Sequence, residues 1–158
     1  MRVGIGYDIH KLLNSSELYF KLSGISIPFY KRCVAHSDGD VVIHALIDAL
    51  LGAAALGDIG THFPDTDPNY KNADSATLLL RVVQLLKESG YTIENVDINI
   101  ITEKPKLAPY VAQMRNRLSE LLQIDVHQIS IKPKTNEQLD AIGQEEAIAA
   151  QTVVLITS

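Results

Sequence analysis

The sequence contains no tryptophan, and aromatic residues make up only 6% of its 158 positions. Stacking platforms of the kind that hold single-stranded nucleic acid are therefore not expected. Cations are in the minority: 14 Lys and Arg stand against 19 Asp and Glu, a formal net charge of −5. That balance argues against a general nucleic-acid binder and against a basic membrane-surface protein. Cys33 is the only cysteine, which excludes an intrachain disulfide and a Cys-rich zinc site. No stretch approaches the roughly 20 apolar residues of a membrane span, and the nearest, Val41 to Leu56, is flanked or interrupted by Asp40, His44 and Asp48. The opening MRVGIGYDIH has no basic segment leading into an apolar one, so the expectation is a cytoplasmic protein. What is present is ordinary globular material, 46% hydrophobic and 21% charged, and the length suits a single domain over residues 1–158.

Alternation of Val3, Ile5, Tyr7 and Ile9 with Gly4, Gly6, Asp8 and His10 predicts a strand. A short ribbon, Leu18 to Leu22 and Ile25 to Ile27, is closed by Pro28. Ser37 as N-cap with Asp40 three residues on resembles a capping box, opening a helix that runs to about Leu56 and stops at Gly57. Residues 57–72, GDIGTHFPDTDPNYKN, read as a long irregular loop of the functional or mobile kind. Asp74 or Ser75 caps a second helix with the stripe Leu78, Leu79, Val82, Val83 and Leu86, ended by Gly90. A strand over Tyr91 to Thr102 follows, then a helix from Pro109 with the stripe Val111, Met114, Leu118, Leu121 and Leu122. Strands over Ile129 to Lys132 and Ala147 to Ile156 flank a polar segment. Terminal strands with helices between them predict an α+β two-layer sandwich, one mixed sheet with helices on one face. Such a sheet leaves its other face in need of a partner.

Asp8 and His10, two apart on a strand, point to one side, and the glycines at 4 and 6 allow another group close to it. A solvated strand end would read the same way. Asp40, His44 and Asp48 form a polar line at i, i+4 and i+8 along an otherwise apolar helix, which must face something polar; capping aspartates around a core histidine would also satisfy it. Together, Asp8, His10 and His44 are an N/N/O set of the type that binds Zn²⁺ with a fourth position open. Residues 35–40, AHSDGD, end at a helix N-terminus suited to an anion, with His36 and Ser37 as donors; an ordinary cap fits equally. The dinucleotide fingerprint fails, since Gly4-Ile5-Gly6 leads into no helix, and no Walker pattern exists. Asp58, Asp65 and Asp67 read as turn formers and His62 as surface. Thr135-Asn136-Glu137 offers a hydroxyl and a hard oxygen ligand suited to Mg²⁺ with phosphate.

Residues 35–68, AHSDGDVVIHALIDALLGAAALGDIGTHFPDTDP, with GYDIH before them and KTNE after, closely resemble the 2-C-methyl-D-erythritol 2,4-cyclodiphosphate synthase family, and the likeness runs essentially end to end. The resemblance implies a phosphorus–oxygen lyase of the non-mevalonate isoprenoid pathway. Its substrate would be 4-diphosphocytidyl-2-C-methyl-D-erythritol 2-phosphate and its products the cyclic diphosphate and CMP. It implies a homotrimer with one site at each subunit interface, and no nucleic-acid or membrane partner. The family's Zn²⁺ ligands fall on Asp8, His10 and His44, and a Mg²⁺ or Mn²⁺ bridging the diphosphate falls to Glu137. Transition-state residues fall on His36 and Thr135. Substrate-binding positions match Asp8, Ile9, His10, His36 and Ser37, the turn Asp58, Ile59 and Gly60, and the loop Phe63, Pro64, Asp65, Thr66 and Asp67. They also match the cytosine pocket Thr102, Lys104, Pro105, Lys106, Leu107 and Ala108, and the segment Lys134, Thr135, Asn136 and Glu137. Ala141 and Gln144 depart from the family's usual aromatic and arginine, which weakens the expectation that the trimer axis binds isoprenoid diphosphates. The rival readings are a nucleotide-diphosphate hydrolase on the same Asp/His/His site and a non-catalytic nucleotide-binding trimer.

Overall fold

The alternation that begins at Val3 continues well past His10, so the first strand of the computed structural model, β1, spans Arg2–Asn14. The structure describes residues 1–64, 66–70 and 73–158. Along β1 the bulky apolar residues face away from the core: Val3, Ile5, Tyr7 and Ile9 are 67, 63, 54 and 46% exposed. Gly4 and Gly6 face inward, beneath helix α1 (Val41–Ala54). A Cβ on Gly4 would stand 1.9 Å from the carbonyl oxygen of Ala49, and one on Gly6 1.8 Å from that of Ala45. The group that approaches the glycine face is thus the helix backbone.

The ribbon is present as β2 (Tyr19–Leu22) and β3 (Ile25–Pro28), joined by Ser23 and Gly24, both at positive φ as a tight hairpin turn requires. A strand absent from the sequence reading, β4 (Lys31–Val34), pairs antiparallel with the end of β1. With β5 (Thr92–Ile101), β6 (Ile129–Lys134) and β7 (Ala147–Thr157) these build a five-stranded sheet in the order β4-β1-β7-β5-β6, apart from the ribbon. Only β5 and β6 run parallel, so the sheet is mixed.

Helix α1 differs from its predicted limits at both ends. Asp40, not Ser37, is the N-cap, because its carboxylate accepts from Ile43 N–H at 3.1 Å and also from the N–H groups of Ser23 and Gly24 at 2.9 and 2.7 Å. That buried carboxylate fastens the ribbon turn to the helix. The helix stops at Ala54, with left-handed Ala55 returning its N–H to Gly52 and Leu51, before Gly57 is reached. The stretch read as one irregular loop contains a single turn of helix, α2 (Ile59–His62), and a 3-10 turn over Pro68–Tyr70. Helix α3 (Ser75–Glu88) is capped by Asp74, and α4 (Val111–Leu122) follows a 3-10 turn through Pro109, so it starts two residues later than predicted. A last helical turn, α5 (Asp140–Gly143), lies within the polar segment. Helix α1 packs on β1 and β7, α4 on β6, and α3 on α1 and α4, with their apolar stripes buried in one core. The fold is an α+β sheet-and-helix sandwich. No described helix is long and apolar enough to cross a membrane.

Candidate active site

Because α1 lies directly on the glycine face of β1, the side chains just beyond those glycines meet the helix at its second turn. Asp8 Oδ2 lies 3.0 Å from His44 Nδ1 and 3.1 Å from His10 Nε2, and the two ring nitrogens are 3.0 Å apart. Three donor atoms in so tight a triangle form one face of a small coordination polyhedron, and two imidazole nitrogens with a carboxylate oxygen suit a divalent transition metal. The second nitrogen of His44 is also engaged. Its Nε2 lies 2.9 Å from Ser75 Oγ and 3.0 Å from Ser37 Oγ, and Ser75 Oγ in turn donates to Asp38 Oδ1. A metal-binding histidine whose other nitrogen is held in this way has its ring orientation fixed.

Charge at the triangle is strongly coupled. Burial works to raise the Asp8 carboxyl, but the hydrogen bonds and charges of His10 and His44 outweigh it and hold Asp8 well below the usual carboxylate range. Burial works the other way on His44, yet the Asp8 carboxylate outweighs it and raises the imidazole above its ordinary value. Asp48, one turn further along α1, is raised by burial even though it accepts the Ile59 N–H at 2.8 Å.

The triangle opens into a cavity of about 320 Å³. His36 and Ser37 form part of its wall, with Asp48, and so do Ile59, Gly60 and Phe63. Asp58 stands behind that wall: its carboxylate caps α2, accepting from Thr61 N–H at 2.8 Å and Thr61 O–H at 2.7 Å. Pro64, Thr66 and Asp67 continue the loop, with Asp67 N–H bonded to Pro64 O at 2.9 Å. Asp65 lies outside the described residues. Ile9 is on the uncovered face of β1 and meets the site only through its N–H, which donates to Asp8 Oδ1 at 2.9 Å. Asp40, the first member of the predicted polar line, serves the helix cap and not this cavity.

A second cavity of about 200 Å³ gathers Thr102, Pro105, Lys106, Leu107, Ala108, Lys134 and Thr135, where β5 and β6 end side by side. It shares no lining residue with the first. Thr102 O–H donates to Lys104 O at 2.6 Å, and the Lys104 ammonium pairs with Glu145 at 2.9 Å. Beyond Lys134 the chain turns through Glu137 at positive φ. Thr135 O–H donates to Glu137 Oε1 at 3.0 Å. Glu103, unassigned from sequence, organises this turn by accepting from Asn136 and Gln138 N–H at 2.9 and 3.1 Å. Ser75 is the other residue that sequence reasoning passed over. Its only signal was a serine at a helix start, and its contact to His44 comes from packing of α3 on α1.

Residues 1–157 match the model of the YgbB family. The chain belongs to that family. Among relatives of this YgbB protein, the 2-C-methyl-D-erythritol 2,4-cyclodiphosphate synthase of Thioalkalivibrio sulfidiphilus is 53% identical over 158 residues, covering 100% of this chain and 98% of that one. The enzyme of the same name from Clostridium perfringens is 49% identical over 156 residues, 99% of each. Among solved structures, the bifunctional IspDF of Campylobacter jejuni superposes with a TM-score of 0.93 at 37% identity over 98% of this chain; the chain spans 42% of that longer one. The Plasmodium falciparum IspF, solved as a CDP complex, gives 0.85 at 38% identity, covering 98% of this chain and 94% of that one.

Proposed function

We propose that this YgbB-family chain catalyses the reaction for which its relatives are named: ring closure of 4-diphosphocytidyl-2-C-methyl-D-erythritol 2-phosphate to the 2,4-cyclodiphosphate, with release of CMP. The observation that carries the reading is the Asp8, His10 and His44 triangle opening into a cavity walled by His36 and Ser37. An oxygen of the 2-phosphate attacks the β-phosphorus of the diphosphate; the new phosphorus–oxygen bond closes the ring as the bond to CMP breaks. Attack within one molecule gains chiefly from positioning, provided two anionic groups are brought together.

Asp8, His10 and His44 would hold one divalent ion, Zn²⁺ or similar, and Glu137 would hold a Mg²⁺ or Mn²⁺. These ions supply the positive charge that lets the phosphates meet on a chain whose own net charge is −5. His36 and Ser37 donate hydrogen bonds to phosphate oxygens at the head of α1, and Thr135 donates to charge developing on the leaving side. The cavity of Thr102 to Ala108, with Lys134, receives the cytosine and its ribose. Asp58 keeps Ile59 and Gly60 in the wall facing the erythritol, and the loop from Phe63 to Asp67, with Asn136 opposite, completes the substrate contacts.

The two halves of this machinery occupy separate cavities of one chain, and the apolar row Val3, Ile5, Tyr7 and Ile9 lies uncovered on the sheet. Both features support a homotrimer in which one subunit's metal half faces its neighbour's nucleotide half. The protein is read as cytoplasmic. Incubation with the cytidyl substrate and Mg²⁺, followed by phosphorus NMR, tests the reaction: a cyclic diphosphate with CMP is expected. A free phosphomonoester would make the protein a hydrolase, and CMP binding without turnover would make it non-catalytic.

The shared site has its own test. His44→Ala and Glu137→Ala chains, each inactive alone, are unfolded and refolded together. Around any mixed ring one interface pairs an intact metal half with an intact nucleotide half, so activity returns. Mixed trimers without recovery would put the whole site within one subunit.

A further inference from the structure

Ser75 is fully buried at the first turn of α3, and its hydroxyl has a single proton to give. Two groups compete for it. Asp38 Oδ1 is in close contact with Ser75 Oγ, and His44 Nε2 is 2.9 Å away. A carboxylate oxygen only accepts, so the proton belongs to Asp38, and the grip is two-handed because Asp38 Oδ2 also accepts the Ser75 backbone N–H at 3.1 Å. Ser75 Oγ is left as an acceptor toward His44. His44 Nδ1 faces the Asp8 carboxylate, which also only accepts, so Nε2 must carry the hydrogen only when an ion on Asp8, His10 and His44 takes the Nδ1 lone pair; Ser75 Oγ is then the acceptor that Nε2–H meets. Ser37 Oγ, 3.0 Å from the same Nε2, offers that hydrogen a second acceptor, and Gly39 N–H donates to it at 3.4 Å.

We propose that Asp38 and Ser75 are positioning residues of the metal site: a relay from Asp38 through Ser75 presents the acceptor that the Nε2–H of a metal-bound His44 requires and turns its Nδ1 toward the ion. The proposal rests on the reading above that Asp8, His10 and His44 bind a divalent metal. It gives α3, which contributes no ligand, control over a ligand on α1. Removing a partner that orients a metal-binding histidine typically weakens metal affinity by about 10–100-fold.

The test is Zn²⁺ titration of the full-length protein, in competition with a chromophoric chelator, for wild type, Ser75→Ala, Asp38→Ala and the double variant. The Zn²⁺-loaded protein is also examined by nitrogen-15 NMR of the His44 ring, which reports how fast Nε2–H exchanges with water. Wild type should bind Zn²⁺ stoichiometrically and His44→Ala should not. Each single variant should bind roughly 10–100-fold more weakly, and the double variant no more weakly than the worse single, since both act through one relay. Saturating Zn²⁺ should restore turnover in both. His44 Nε2–H should exchange more slowly in wild type than in Ser75→Ala. Asp38 is only partly buried, so Asp38→Ala keeps the question open to measurement if Ser75→Ala does not fold. Affinities within twofold of wild type with an unchanged Nε2–H exchange rate would overturn the proposal, as would additive losses in the double variant. A wild type that binds no Zn²⁺ would overturn the metal reading, whereas Zn²⁺ binding indifferent to both substitutions would overturn the relay alone.

Discussion

Replacing Gly6 with alanine should damage the fold and the metal site through one displacement. The new methyl carbon would lie 1.8 Å from the carbonyl oxygen of Ala45 and 2.8 Å from the amide nitrogen of Ala49, both backbone atoms of α1 that no rotamer change can move. Relief to the 3.0 Å below which such contacts essentially never occur requires the helix to lift by at least about 1.2 Å. His44 immediately precedes Ala45 on the same helix, so the 3.0 Å separations that join it to Asp8 and His10 would open by a comparable amount. Metal sites tolerate errors of only about 0.2 Å in ligand distance. The stability cost should be about 3 kcal/mol or more, the upper end for inserting one carbon into a packed interior. The assays are urea denaturation for stability and chelator competition for Zn²⁺. Gly52→Ala is the control, because a Cβ there meets nothing within 4 Å, and mid-helix alanine should stabilise by about 0.5–1 kcal/mol. A Gly6→Ala protein with wild-type midpoint and wild-type Zn²⁺ affinity would refute the claim that close strand–helix contact sets the ligand triangle.

Three other outcomes are expected. Glu137→Gln keeps the side chain's shape but removes its charge, so half-maximal turnover should need roughly tenfold more Mg²⁺, and an unchanged Mg²⁺ titration would remove Glu137 from the metal site. Burial pushes the Cys33 thiol up to about 12. Because the thiolate is the reactive form, a disulfide reagent at pH 8 should label native protein about a thousandfold more slowly than unfolded chain, with the native rate rising about tenfold per pH unit; equal rates would contradict the burial. Gln144 commits its amide to Gln138 O at 3.1 Å and offers no guanidinium, so calorimetry with geranyl diphosphate should show weak binding or none, and tight binding abolished by Gln144→Ala would overturn this.

Helices α3 and α4 were legible because each carries an apolar stripe at helical spacing, α1 because a capped apolar run carries a polar line at i, i+4 and i+8, and the donors Asp8, His10 and His44 were legible because strand and helix periodicity put each on a definite face. What escaped depends on contacts between distant segments. Ser37 and Asp40 are both good N-cap residues three apart, and local rules favour the first; Asp40 wins because its carboxylate also satisfies Ser23 and Gly24 across the ribbon. Lys31-Arg32-Cys33-Val34 has no apolar alternation to announce a strand: β4 is an edge strand of four residues in which half-buried Lys31 and Cys33 share one face and exposed Arg32 and Val34 the other. Ser75 and Glu103 gain their roles only when α3 docks on α1 and the β5 end meets the β6 turn. Proximity of Asp38, Ser75 and His44, separated by 37 and 31 residues, has no local signature.

Period 2 in β1 identified a strand but could not say which face was inside, and that choice links fold, site and assembly. With glycine at positions 4 and 6, α1 can lie close enough for His44 to reach Asp8; with larger residues there the helix would stand off and the triangle would not close. The bulky residues displaced from that face are Val3, Ile5, Tyr7 and Ile9, which form an apolar row on the open side of the sheet. In register, Ile9 and Ile101 flank Ala149 from either side, so Asp8 and His10, midway along β1, lie level with the end of β5 that leads to Thr102. In the proposed trimer, a head-to-tail contact through the apolar row would set one chain's Asp8, His10 and His44 against the next chain's cavity at Thr102 to Ala108, and the glycines that bring α1 onto β1 are the same ones that leave that row free for a neighbour.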